Sequence, residues 1–246
     1  MENLDGEIVD ARKGAPFRLR MARKSSPFSR FLPGERFLSI ESRGSGLRPA
    51  RPEPADVWWE GADGAPRLTP DEALFLARAW GCRGVFLETD DPWFAAGIGK
   101  EILSRAPDYA LSPAVATSGY LCVDAREHLL GLVDAVELIL YGVSPGVYRR
   151  LFAVRPEPVL ETVTSLASRS RVAVEVVIPL LPGENDSSDE VGSLSRFVAT
   201  RLGASVPVRF VPEETSLPDE RLASACAAAH QAGLSDVSAP VRDVPT

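Results

Sequence analysis

Four carboxylates fall at or just beyond the ends of two short apolar runs: Glu41 after Phe37-Leu-Ser-Ile40, and Glu88, Asp90 and Asp91 after Gly84-Val-Phe-Leu87. Carboxylates gathered in this way supply the oxygen ligands of a hard cation, or an acid–base pair whose members titrate apart. Alternation along a strand turns some of them away from any shared site, and acids in loops are ordinarily solvated, so no metal ligand is assigned. Cys122 and His128 contain the atoms of a thiol–imidazole nucleophile, but a reactive thiol needs an activating group beside it and none can be named. His128 sits in the helical stretch Arg126-Glu-His-Leu-Leu130 and His230 near the end of the last helix, where surface or core roles are expected. Cys82, Cys122 and Cys226 are too dispersed for a metal-ligand motif.

The elements that must position these groups alternate short β-branched runs with amphipathic segments, the pattern of parallel βα units. Strands are expected at Phe37 to Glu41, Gly84 to Glu88, Pro113 to Thr117, Val136 to Leu140, Val172 to Ile178 and Val208 to Val211. Thr69-Pro70-Asp71-Glu72 supplies an N-cap, a first-turn proline and an acid three residues after the cap, and Gly81 ends the helix that follows. Ser187 or Ser188, then Asp189 and Glu190, open a helix running to Leu202, and Leu217-Pro218-Asp219-Glu220 open the last one. In barrels of parallel strands, ligand-handling groups lie where the strands end. Here those ends present Glu41, Glu88-Thr89-Asp90-Asp91, Thr117-Ser118-Gly119-Tyr120, Leu140-Tyr141-Gly142 and Ile178-Pro179.

With 246 residues and 45% apolar content, one large core can be buried, and a single α/β barrel-like domain spanning 36–246 is expected after a basic, irregular segment 1–35. The net charge of −7 is uneven, because residues 12–51 carry eleven Lys or Arg against Glu35 and Glu41. A basic arm of this kind is read as solvated, or as facing an anionic partner such as nucleic acid, a phosphate-bearing substrate or an acidic protein face. Single-strand nucleic-acid binding interleaves aromatics with charge, and only Phe17, Phe28 and Phe31 are present to do so, so no nucleic-acid partner is expected. An odd number of scattered cysteines argues against a disulfide framework and for a reducing cytoplasm. No apolar run reaches the length of a membrane span, and Met1-Glu-Asn-Leu-Asp lacks the basic and apolar regions of a signal peptide, so no membrane association is expected.

Several phrases, in order, resemble one family. Ser26-Pro-Phe-Ser-Arg-Phe-Leu-Pro-Gly34 with Phe37-Leu-Ser-Ile40 is similar to the opening of the pyruvate-formate-lyase-activating-enzyme-like branch of the radical S-adenosylmethionine (SAM) superfamily, where "KPFYHFLPGS..LSIGTAGCNLRCPFC" leads into the first strand and its cluster loop. Ala116-Thr-Ser-Gly-Tyr120 resembles that branch's "VTNGY", and Leu181-Pro-Gly-Glu-Asn-Asp-Ser187 its "IPGLNDS". Aligned on Leu38-Ser39-Ile40, the three cysteines of the C-x3-C-x2-C motif fall on Ser45, Pro49 and Pro52, while Leu47-Arg48 matches the intervening Leu-Arg. Where the branch has "AYTYNEP", this chain has Phe86-Leu-Glu-Thr-Asp-Asp-Pro92, with an acid kept at Asp91. The "DLK" of its fourth strand is Ile139-Leu140-Tyr141.

The resemblance implies an open, partial (β/α)6 TIM-like barrel. It implies a degenerate member, because an iron–sulfur cluster is held by thiolates, a serine hydroxyl stays protonated near neutral pH, and proline has no side-chain donor. No 4Fe–4S cluster is expected, and radical chemistry is not expected by the usual route. If SAM or a related nucleoside binds, the resemblance places it near Asp90, Asp91, Thr117, Ser118, Ile178 and Pro179, with Glu41, Glu88 and Tyr141 around the pocket; Tyr141 then closes the pocket or hydrogen-bonds the ligand. The leading expectation is a binding or regulatory pseudoenzyme subunit, partnered by an active radical SAM enzyme or another protein of its pathway. The alternatives are an enzyme that binds SAM or a nucleoside and does polar chemistry without a cluster, and an unrelated barrel activity.

Overall fold

The computed structural model describes residues 2–4, 7–9, 18–21, 26–41, 69–88, 98–213 and 217–240. All six expected strands are present within a residue or two of their expected bounds. They are β4 (Phe37–Glu41), β5 (Gly84–Glu88), β6 (Ser112–Thr117), β7 (Ala135–Ile139), β8 (Ala173–Leu180) and β9 (Val208–Pro212). A two-residue strand, β10 (Val237–Ser238), continues the parallel sheet beyond β9 and is too short to carry a sequence signal. The segment expected to be irregular holds β1 (Glu2–Leu4), β2 (Glu7–Val9) and β3 (Arg18–Met21). β1 and β2 pair antiparallel, and β3 lies antiparallel along β4, Leu19 opposite Ile40. Its alternation, Arg18-Leu-Arg-Met21, suits an edge strand, where charge discourages further pairing. In the sequence the density of basic residues masks that alternation.

Strand order follows chain order, β10-β9-β8-β7-β6-β5-β4-β3. Each parallel strand is therefore reached from its neighbour by a crossover, through α1 (Pro70–Ala79), α2 (Ile98–Arg105), α3 (Val123–Leu130), α4 (Pro145–Phe152) with α5 (Glu157–Ala167), α6 (Ser188–Leu202) and α7 (Asp219–Gln231). Same-handed crossovers put helices on one face of such a sheet. Alternate strand residues, Leu38, Val85, Val115, Val136, Val176 and Val208 among them, pack in one core with helix residues such as Leu74, Leu129, Val163 and Leu194. The helix starts are as the sequence implies. Thr69 Oγ1 accepts from Glu72 N at 3.3 Å while Glu72 Oε2 accepts from Thr69 N at 2.8 Å, and Ser187 caps α6 by accepting from Glu190 N at 3.2 Å.

The other face has a second, smaller core of Phe28, Phe37, Phe86, Ala114, Ala116 and Ala135, with Phe31, Leu32, Ile139 and Ala173 packed against it. No helix residue takes part, so this face lines the lumen of an open barrel. Ser26-Pro-Phe-Ser-Arg-Phe-Leu-Pro-Gly34 lies across its lower end, folded on itself by Ser26 Oγ, which donates to the Phe31 carbonyl at 2.6 Å and accepts from Phe28 N at 3.1 Å. The Phe28 ring stands edge-on to Phe31 and Phe86, with centroids 5.7 and 5.6 Å away. The Phe37 ring occupies the space a side chain at position 84 would need: a Cβ there would lie 2.3 Å from Phe37 Cε1 and 2.6 Å from the Ser112 carbonyl. Small residues on the strands thus admit large rings from the plug.

Phe28 is 2% exposed in this floor, whereas Phe75 on α1 is 67% exposed. Phe28→Ala is expected to lower unfolding free energy by about 3–5 kcal/mol, and Phe75→Ala to change it by no more than about 0.5 kcal/mol. Urea unfolding of the two variants beside the parent chain checks this.

Candidate functional site

Above the aromatic floor the lumen face turns polar. Alternation places Ser39, Glu88, Glu137, Glu175 and Arg209 on the same face as the floor residues Phe37, Phe86, Ala135 and Ala173. Ser39 Oγ donates to Glu88 Oε2 at 2.9 Å. Glu137 and Glu175 are paired in register on β7 and β8. Arg209, on β9, donates from Nη2 to Glu137 Oε2 at 2.7 Å, with the carboxylate side chain 14% exposed and the guanidinium 46%. Glu175 turns to the plug instead, its Oε1 accepting from Ser29 Oγ at 3.1 Å and from Arg30 N at 2.9 Å. Arg30 in turn reaches Asp236 at 2.6 Å.

Burial raises the Glu137 pKa to about 7, helped by the charges of Glu88 and Glu175 and opposed by Arg209. A carboxyl poised near neutrality is suited to general acid–base work. Glu137, Glu175 and Arg209 were not among the residues expected from the sequence. The signal that marks them is a single charge inside an otherwise apolar strand, as in Ala135-Val-Glu-Leu-Ile139 and Val208-Arg-Phe210, since such charges are rarely placed there unpaired.

The strand ends hold the remaining candidates. Thr117 is fully buried and its Oγ1 accepts from Gly119 N at 3.0 Å; Ser118 Oγ accepts from Tyr120 N at 3.4 Å. Gly119, at φ +73°, offers its carbonyl to Thr162 Oγ1 on α5 at 2.7 Å. The expectation that Ile178 ends its strand is corrected, because β8 runs on to Leu180 and alternation places Ile178 with Val176 and Leu180 in the helix-facing core. Pro179 has the lumen parity. Its carbonyl and that of Tyr141 each accept from Asn185 Nδ2 at 2.8 Å, while Asn185 Oδ1 accepts from Leu181 N at 2.8 Å. Asn185 therefore ties the ends of β7 and β8 together. The loop after β7 is fixed by Glu190, whose Oε1 accepts from Val143 N at 3.2 Å and Ser144 N at 3.3 Å.

The Tyr141 ring packs edge-on against Phe152, centroids 4.7 Å apart, and Ile139 joins the floor cluster, so both are engaged in apolar packing. Glu41 is paired in register with Glu88. Asp90, Asp91, Ser45, Pro49 and Pro52 lie outside the described residues. Among the described residues, no group of three His, Cys, Asp or Glu side chains is placed to hold a metal ion, and no helix is long and apolar enough to cross a membrane. Cys82, between α1 and β5, and Cys226, on α7, are packed in the helix-facing core, and Cys122 is exposed at the start of α3. A groove of about 620 Å³ between α3, α5 and α6 lies on the outer helical surface, away from the lumen; there Arg126 pairs with Glu161 at 3.2 Å and Arg201 stacks over Phe197.

A singly wound parallel sheet with helices outside and a polar lumen defines a partial α/β barrel. No family model matches the chain. It is 25% identical over 134 residues to an isethionate sulfite-lyase activating enzyme of Oleidesulfovibrio alaskensis, a match covering 54% of this chain and 42% of that enzyme. Its fold is similar to a domain of pyruvate-formate lyase-activating enzyme from Bacteroides vulgatus, with a TM-score of 0.52 and 16% identity over 58% of this chain and 89% of that one. It is also similar to QueE from Escherichia coli, with a TM-score of 0.50 and 10% identity over 93% of each chain. The likeness to these solved structures is one of fold, the partial α/β barrel.

Two outcomes follow from the site. Asn185→Ala removes three hydrogen bonds from a residue 2% exposed and is expected to cost about 2–4 kcal/mol of stability, read by thermal or urea unfolding. Glu137 keeps its proton up to about pH 7 when folded, against an ordinary value of 4.5. The folded state then binds more protons between those values, so stability falls as pH rises through that window, by on the order of 2–3 kcal/mol. Urea unfolding from pH 4 to pH 8 should show this decline in the parent chain and its loss in Glu137→Gln.

Proposed function

We propose that this protein is a radical-SAM-fold pseudoenzyme that carries no 4Fe–4S cluster and acts as a binding or regulatory subunit, partnered by an active radical SAM enzyme or another protein of its pathway. The observation that carries this reading is the donor set at the aligned cluster positions, Ser45, Pro49 and Pro52. A cluster of this kind needs thiolates, and these residues do not fit it. The three cysteines present lie in separate parts of the fold, two of them packed in the helix-facing core. No step is therefore derived through a cluster. Ile139 and Tyr141, where the family has an acid and a lysine, support the same reading, since both are engaged in apolar packing. A reducing cytoplasm suits a chain with free cysteines.

Glu137 favours a second reading, an enzyme that binds SAM or a related nucleoside and does polar chemistry. A lumen carboxyl that holds a proton near neutral pH, beside a paired guanidinium, is the equipment such chemistry uses.

Anaerobic reconstitution with iron and sulfide tests the first reading. The protein should stay colourless, and a stoichiometric four-iron cluster with broad visible absorption would overturn it. Thermal unfolding with SAM separates the two readings. Binding at a hundredfold over Kd contributes roughly 2.7 kcal/mol, or about 5–10 °C at this chain length. Such a shift favours the enzyme, and its absence favours the subunit.

A further inference from the structure

The lumen arrangement contains a choice. Arg209 bonds Glu137 on β7 across the intervening β8, where Glu175 is paired in register with Glu137 and stands two residues from Val177, the β8 partner of Arg209. Glu175 is left with one oxygen accepting from Ser29 and Arg30 of the N-terminal plug. The groups facing Glu137 are Glu88 from β5, itself held by Ser39 of β4, Glu175 from β8 and Arg209 from β9; its β6 neighbour, Ala116, adds no charge. The cationic end of Arg30 is turned away to Asp236. Arg209 is the cation that the structure pairs with Glu137.

We propose that Glu137, Arg209 and Glu175 form a proton-operated relay, in which protonation of Glu137 transfers the Arg209 guanidinium to Glu175 and thereby alters the hold of Glu175 on the plug at Ser29 and Arg30. The proton goes onto the Glu137 carboxyl, which then no longer attracts a guanidinium as an ion. The guanidinium is already about half exposed, so little burial is lost when it moves. Glu175 is the adjacent carboxylate on its own side of β7, and an oxygen that shares its charge with a guanidinium is a poorer acceptor for the Arg30 amide. The lumen and the N-terminal segment 26–34 are thus linked through three side chains, independently of whether a cluster or SAM binds.

Nuclear magnetic resonance on the full chain tests this by following the Glu137 carboxyl, the Arg209 Nε–H and the Arg30 backbone amide between pH 5 and 8.5. The relay requires all three to move with one midpoint near 7. In Glu137→Gln, the Arg209 and Arg30 signals should stay at their low-pH positions throughout. In Arg209→Gln, Glu137 should still titrate while the Arg30 amide no longer responds in this range; Arg209→Lys, which keeps the cation, should restore the response. An Arg30 amide that still follows Glu137 in Arg209→Gln would mean direct electrostatics without transfer and would overturn the relay. An Arg209 Nε–H that is unmoved between pH 5 and 8.5 in the parent chain would overturn it as well.

Discussion

The rings of Phe28, Phe31, Phe37 and Phe86 fill the end of the lumen from which the strands start, and the polar features above them depend on water being kept out from below. This floor is possible because Gly84, Ala114, Ala116, Ala135 and Ala173 leave room on the strand face, most severely at Gly84, where the Phe37 ring and a backbone carbonyl occupy the place of a Cβ. A dry floor lowers the local dielectric, and a low dielectric strengthens the pairing of Arg209 with Glu137 and raises the cost of leaving either charge alone. Burial is the main cause of the raised proton affinity of Glu137, and Ala135, two residues lower on the same strand face, belongs to the aromatic floor.

The fold was legible because its signals are local. A capping box at Thr69 and a serine cap at Ser187 each start their own helix through hydrogen bonds made within four residues, and β-branched runs five or six residues long mark strands by side-chain shape alone. β10 and β3 escaped for opposite reasons. A two-residue strand has no period, and in Arg18-Leu-Arg-Met21 the basic density outweighs the alternation. Ile178 was misplaced because an apolar run reads the same whether it stops at 178 or continues to 180, and a strand's end decides which side chain meets the lumen.

The site was less legible, because a lumen is made by residues far apart in sequence. Reading strand ends directs attention to loops such as Glu88-Thr-Asp-Asp91, whereas the charges the structure brings together lie within strands, at Glu137, Glu175 and Arg209. Each is an isolated charge in an apolar strand, and isolation is the signal: desolvating an unpaired charge costs so much that its presence implies a partner. Which partner, and on which face, is settled only by register.

The phrase Leu181-Pro-Gly-Glu-Asn-Asp-Ser187 supported the resemblance, and the structure accounts for almost every residue of it in terms of backbone groups satisfied. Gly183 takes a positive φ, Asp186 accepts from the Gly183 amide, Asn185 joins two strand ends and Ser187 starts α6. Glu184 holds Arg150 at 2.9 Å. None of these duties involves a reacting atom. A text search that scores this phrase therefore measures a requirement of chain geometry, and the phrase would persist unaltered in a descendant whose chemistry had been exchanged for another or abandoned.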